Sequence, residues 1–355
     1  MNLARQRLPL CGLAWLACAA AWLWTPAASS AAYLAVWLFW IGTMLGALAN
    51  LWLHALTGGR WGDAIAPALR RHARALPLAA LCFLPVLLSL HQLYPWAKSP
   101  HDIDWQGRLS APAFKAIWLS PLFFTVRSVA YLALWCLLGA ASRSPALRER
   151  RGFAAFALIA YAVTVSLAAV DWIMSLVPQW YSSVFGVLVA MAQMFSGMAL
   201  AILLAGQSRQ QAAPSTLHDL GNLLLMYVLM LAYLSFVQFL IIWAENLPAE
   251  ISWYLPRAGD DWRWAAQSLA LLLFALPLAV LLSVRAKRSA GAMRWLGAWL
   301  LLMLLCHACW LVLPSLPTPP HGWLPALLCP SLAIAATAWL IDGGVHPLAG
   351  EIAHG

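Results

Sequence analysis

Ten times along this chain the residues stay apolar long enough to cross a bilayer. The runs lie at about 8–25, 31–56, 73–95, 113–141, 152–171, 180–206, 220–246, 262–285, 291–313 and 323–341. A helix rising 1.5 Å per residue needs roughly 20 apolar residues to traverse the hydrocarbon. The runs are continuous and do not alternate in polarity, which argues against membrane strands. Hydrophobic residues make up 63% of the chain and charged ones only 9%, against roughly 25% charged in a soluble domain. The chain reads as an all-α, polytopic membrane helix bundle, a single integral membrane domain over residues 1–355. The expected layout is two four-helix bundles, spans 2 to 5 and 6 to 9, plus two flanking helices. Small residues in the spans, Gly42, Gly46, Gly186 and Gly197, are read as close-packing positions.

The net charge of +9 is distributed by loop rather than gathered for nucleic acid. Fifteen of the 21 Lys and Arg residues fall at the N-terminus and in the even-numbered loops: Arg5, Arg7, Arg60, Arg70, Arg71, Arg74, Arg143, Arg148, Arg150, Arg151, Arg209, Arg285, Lys287, Arg288 and Arg294. Five fall on the other side, and Arg127 lies inside a span. The positive-inside rule then places both termini of a multi-pass membrane protein in the cytoplasm. The first run, preceded by Arg5 and Arg7 and followed by PAASSAAY, also has the outline of a cleavable signal peptide. Its length and tryptophan content favour a span, and the orientation of the rest is the same either way.

Residues 171–183, DWIMSLVPQWYSS, interrupt two apolar runs without a single Lys or Arg. The segment places Asp171 at the end of a span and follows it with Trp172, Trp180 and Tyr181, residues that settle at a membrane–water boundary. By charge counting it faces outward. His91, Glu245 and His307 end or lie near the same side. These four ionisable groups are read as one outward pocket, walled by Tyr94, Trp172, Trp180, Tyr181, Gln238 and Trp243. Arg127, about halfway along span 4, is costly in a membrane by roughly 2.5–3.5 kcal/mol and must face the protein interior. Gln193 lies at similar depth and is its expected neighbour, the two forming a buried polar centre or proton path.

Other chemistries find little support. The seven cysteines lie in or beside spans, so no disulfide framework is expected. Cys306 and Cys309 have CxxC spacing within an apolar helix and no companion pair, so no metal site is expected. His54 and His91 sit at opposite membrane depths, and His91 with His307 makes at most one pair, so no haem is expected. Phosphate-binding, dinucleotide-binding and serine-nucleophile motifs are absent from the sequence.

Three blocks carry a family resemblance. DWIMSLVPQWYSSVFG, LSPLFFTVRSVAYLALW and DLGNLLLMYVLMLAYLSFVQFLIIWAENLPAEISWYLPR resemble the sixth-span, fourth-span and seventh-span regions of polysulfide-reductase-type (NrfD-like) membrane subunits, in particular the F-subunit type of alternative complex III. The resemblance covers most of residues 31–313. It implies a quinone- or quinol-interacting subunit of a respiratory electron-transfer complex without haem or metal of its own. It also implies multihaem cytochrome and iron–sulfur partner subunits and a part in proton conduction. Asp171 takes the position of the family's outer acid, and Arg127 that of its buried arginine. The sequence departs from the pattern at Val177, in place of an acid, and at Gln179, in place of histidine. Glu245 stands where the family often has a small or neutral residue. Leu305, Cys306 and His307 stand where span 9 often has an Arg–Asp pair.

Three functions follow as expectations. The first is a quinone-edge subunit with Asp171 as proton acceptor, assisted by His91 or His307. The second is a structural or assembly subunit of a respiratory complex. The third, a transporter, lacks a mid-membrane Asp, Glu or Lys.

Overall fold

The computed structural model describes residues 2–98, 112–205, 213–316 and 323–344. Every regular element among them is helical. Among the described residues, seven helices are long and apolar enough to cross a membrane, and a bent pair counted as one span makes eight. The chain is therefore a multi-pass helical membrane bundle. The first expected span lies in α1 (Asn2–Trp24) and the last in α12 (Trp323–Gly344). The qualifying apolar stretches there are shorter, Pro9–Trp24 and Ala326–Ala335. These two helices pack on each other, with the Trp15 indole N–H donating to Thr337 Oγ1 at 3.0 Å.

The centre of the bundle is α2 (Pro26–Thr57), whose apolar window is 94% buried. It crosses α8 (Phe185–Ala205) at backbone distance. A β-carbon on Gly46 would overlap the Gln193 carbonyl, and one on Gly197 would run into the backbone of Gly46 and Ala47. The glycines thus do the close packing expected of them, because only hydrogen fits between the two chains. Asn50 pins the same crossing. Its amide donates to Gly46 O and Met194 O, each at 2.8 Å, and its Oδ1 accepts from Tyr227 at 2.7 Å. Tyr227 lies on α9 (Pro214–Glu245), which ends at Asn246 in the left-handed region, φ 50°.

Two expected spans are broken, and proline is the reason in each. Residues 73–95 do not form one helix. The basic amphipathic helix α3 (Arg60–Ala73) meets α4 (Leu76–Leu81) and α5 (Leu84–Leu88) at a 40° bend. Pro77 and Pro85 each remove a backbone donor and start a new short helix. Residues 113–141 break at Ser120, which is extended (φ −87°, ψ 142°) ahead of Pro121. The long helix α6 therefore runs only from Pro121 to Ala141. Span 5 becomes α7 (Arg151–Trp172). The spans at 262–285 and 291–313 become α10 (Asp261–Leu282), with a π-helical stretch at Ala270–Ala275, and α11 (Ala290–Val312). The chain between α7 and α8 is not helical throughout, so the sixth span starts at Phe185 rather than 180.

Leu122, Val126, Val129, Phe156, Ile159, Val163 and Phe236 remain exposed along α6, α7 and α9. Their spacing of three or four residues marks helix faces turned to lipid.

Candidate functional site

Asp171 is the penultimate residue of α7, and it is completely buried. Its two oxygens accept four hydrogen bonds. Arg127 Nε donates to Oδ2 and Nη2 to Oδ1, both at 2.9 Å. Tyr131 Oη donates to Oδ2 at 3.0 Å, and the Trp118 indole N–H donates to Oδ1 at 2.8 Å. The arginine also donates to Trp118 O at 2.8 Å, and its guanidinium carbon lies 4.0 Å from the Trp118 ring centroid and 4.3 Å from that of Phe123. Arg127 Nη1 is buried with no acceptor among the described residues.

This geometry corrects three expectations. Arg127 is not isolated at mid-membrane. The break at Ser120 puts it in the second turn of α6, level with the end of α7. Its partner is Asp171 and not Gln193, which accepts from Tyr161 Oη at 3.0 Å and packs against Gly42. Asp171 is not a solvated edge carboxylate, because its lone pairs are filled and no surface reaches solvent.

The expected common pocket is also not assembled. Trp172 is core: its indole donates to Ser128 Oγ at 2.9 Å, and its ring meets Trp37 and Phe83 at 5.1 Å and Trp135 at 5.6 Å. Tyr94 is buried too and donates to Trp172 O at 3.0 Å. His91 is tied by Nδ1 to Ala97 O at 2.7 Å. Trp180 stacks on Trp253 at 4.3 Å. Tyr181 (53% exposed) and Trp243 (67% exposed) face outward from the protein. Gln238 bridges Ser182 and Tyr254 at 3.4 Å on each side. Glu245 is exposed beside buried Glu250, whose carboxyl is pushed above its usual 4.5 by burial and then by the Glu245 carboxylate.

The segment from 248 to 259 forms a plug over this end of the bundle. Arg257 donates to Trp253 O at 2.6 Å, Leu311 O at 2.8 Å and Ser315 Oγ at 3.0 Å, with its guanidinium over the Trp253 ring at 3.5 Å. Burial among these groups pushes its pKa down to about 9.

His307 has a different setting. It is 6% exposed, makes no hydrogen bond to a described residue, and lines a pocket between α2, α8 and α11. The remaining wall is mostly apolar, with Leu38, Phe39, Leu304 and Ile173, and Gln193 and Ser196 are its other polar members. The internal volume is ≈ 50 Å³, enough for a few waters at roughly 10–15 Å³ each. His307 lies five residues before the end of α11, roughly 7 Å inside it at 1.5 Å per residue. A second groove, of ≈ 390 Å³, lies between α1, α2 and α5 around Trp15, Trp22, Tyr33 and Leu88, and has no acid or imidazole in its lining.

Of the residues proposed from sequence, His307 and Gln193 thus share one pocket. Asp171 and Arg127 share a separate closed cluster, with Ile173 between the two. Trp118, Tyr131 and Asn50 were not anticipated. Tyr131 follows Arg127 by four residues and so shares its helix face, a signal present in the sequence. Trp118 reaches Asp171 only across the break at Ser120, and Asn50 acts through a contact 144 residues away.

Fold and buried polar centres together define a polytopic helical membrane protein. In comparisons with known proteins, no family model matches the chain and no curated protein matches it.

Proposed function

We propose that the chain is a quinone-interacting subunit of a respiratory electron-transfer complex of the alternative complex III type, in the bacterial inner membrane with both termini cytoplasmic. One observation carries this reading: a buried imidazole without a hydrogen-bond partner among the described residues borders an apolar pocket beside a primary amide. That pairing suits a lipid-soluble ring with polar oxygens, since apolar walls bind the ring and a few placed polar groups orient it. The chemistry of His307 and Gln193 fits such a head group. The volume of ≈ 50 Å³ does not hold a whole ring until the half-buried Leu38 and Phe39 turn aside.

Quinol, when bound, supplies two electrons and two protons. His307 would hydrogen-bond a head-group oxygen through a ring nitrogen and so hold it in place. Gln193 would orient an oxygen through its amide, itself held by Tyr161. The apolar walls exclude bulk water. Asp171 passes from proton acceptor to positioning residue: with Arg127 it sets the end of α7 and so the place of Ile173 in the pocket wall. Multihaem cytochrome and iron–sulfur partners would carry the electrons, and this chain would take part in proton conduction.

The test is photolabelling of the complex, purified from native membranes, with a short-chain azido-benzoquinone. Label on α2, α8 or α11 that is lost in His307→Leu, together with lost quinol-driven turnover, is the expected result. Equal labelling and turnover in the variant would overturn the assignment. A second reading, a structural or assembly subunit, is favoured by the closed Arg127–Asp171 pair. It predicts that cytochrome partners co-purify while no label enters the pocket.

A further inference from the structure

The arginine-rich end of the bundle holds two clefts that share Leu51, Arg70, Ser142 and Arg148 and so form one continuous depression. Their volumes are ≈ 360 and ≈ 400 Å³, within the range of roughly 300–1,000 Å³ typical of ligand sites. Arg70, Arg74, Arg143 and Arg148 line them, drawn from α3 and from the turn joining α6 to α7. The counter-charge is slight. Among the described residues, Glu149 (78% exposed) lies 3.9 Å from Arg148, and Asp63 (80% exposed) lies 3.8 Å from His54. Pairs of that kind are screened and weak. The floor is firm, because the Trp52 indole N–H donates to Ser142 Oγ at 2.9 Å and joins α2 to the end of α6. The walls include Leu51 and Phe153, and Phe156, one turn along α7 on the same helix face as Phe153, is 60% exposed.

We propose that this cleft binds the phosphate-bearing headgroup of an anionic phospholipid, with its acyl chains lying along α6 and α7. Four guanidinium groups around one depression match phosphate oxygens by paired N–H donors. Like charges gathered with so few acids repel one another, and a phosphodiester relieves that repulsion. Arginines acting only as topological anchors need no common cleft, whereas these four surround one of ligand size. The apolar walls select a lipid over free phosphate. Basic pockets between helices at a membrane face bind such headgroups by this same combination.

The full chain in detergent micelles, titrated with phosphatidylglycerol, cardiolipin or phosphatidylcholine and read by native mass spectrometry, tests this. Arg70→Gln with Arg148→Gln is expected to weaken anionic-lipid binding by about 30-fold, the effect of two interfacial arginines. Arg285→Gln with Arg288→Gln removes the same charge from the same end and is expected to leave binding unchanged. Phosphatidylcholine should not be retained, and millimolar inorganic phosphate should not displace the anionic lipid. Equal loss in both double variants would overturn the site in favour of diffuse attraction, and displacement by inorganic phosphate would overturn the lipid. Should the Gln pair fail to fold, Arg70→Lys with Arg148→Lys keeps the charge and removes the paired N–H geometry. Reduced retention in that variant supports the site, and unchanged retention overturns it.

Discussion

Arg127 and Asp171 meet through two parallel hydrogen bonds of 2.9 Å in a site where the carboxylate has no exposed surface. The pair closes the end of α6 against the end of α7. Breaking it from one side leaves a buried charge without its partner. Asp171→Asn and Arg127→Gln are each expected to destabilise the bundle by about 3–5 kcal/mol. The double substitution Arg127→Met with Asp171→Leu should recover most of that loss. Denaturant or thermal unfolding in detergent measures all three. A double variant as unstable as the summed single ones would show that the pair acts otherwise.

Gly46 is the tightest point of the α2–α8 crossing. Gly46→Leu should prevent the crossing altogether, since the obstacle is the Gln193 carbonyl and not a mobile side chain. Expression as an aggregate, or loss of the folded monodisperse peak, is the expected readout. Gly12, where an added β-carbon would meet nothing within 4 Å, provides the comparison, and Gly12→Ala should behave as the parent.

Asn50→Leu should cost about 1–3 kcal/mol, because Tyr227 Oη loses its acceptor and Met194 O loses a donor in a fully buried place. Tyr227→Phe removes one bond and leaves the other two, so its effect should be smaller. Comparing the unfolding midpoints of the two variants checks the order.

His307→Phe should leave stability near that of the parent, because the imidazole has no hydrogen bond to lose to a described residue, and the pocket walls are apolar. Quinone-analogue labelling should fall with it. A large loss of stability would show that the imidazole holds the helices together.

Glu250 carries a pH dependence of definite sign. Its folded-state pKa lies above 4.5, through burial and then the neighbouring Glu245. The folded state therefore binds its proton more tightly than the unfolded chain does. Stability is lost as pH rises from 4.5 through the folded value, and below 4.5 the group is neutral in its effect. Glu250→Gln should raise the unfolding temperature at pH 7 and leave it unchanged at about pH 4, as measured by thermal unfolding at the two values.

The apolar runs made the class of fold legible, since a stretch of roughly 20 apolar residues has few other places to go. The long helices α7, α10 and α11 fall within about three residues of expectation, while α2 and α9 begin at Pro26 and Pro214, ahead of the expected 31 and 220. The two broken spans are those where proline sits inside an apolar run. Hydropathy is the same on both sides of Pro77, Pro85 and Pro121, so an average over the run hides a lost backbone donor. The misplacement of Arg127 follows directly. Counted along an unbroken span it is central, while counted from Pro121 it is near the end, within reach of Asp171.

The site was legible as composition and not as arrangement. Asp171, Arg127, His307 and Gln193 were each marked by the cost of a polar group among apolar neighbours, a cost that belongs to the residue and is visible in the chain. Their pairing was not, because a buried polar group takes whichever partner the helix crossings bring within about 3 Å, and side-chain depth alone leaves several choices. Sequence by itself determined that this protein spans a membrane several times as helices and which few polar residues lie among them. Only the tertiary structure decided that Asp171 closes on Arg127, that Trp172 is core rather than wall, and that His307 is left facing a pocket. The reason is physical: burial is a local cost, whereas hydrogen bonding is a matter of three-dimensional position.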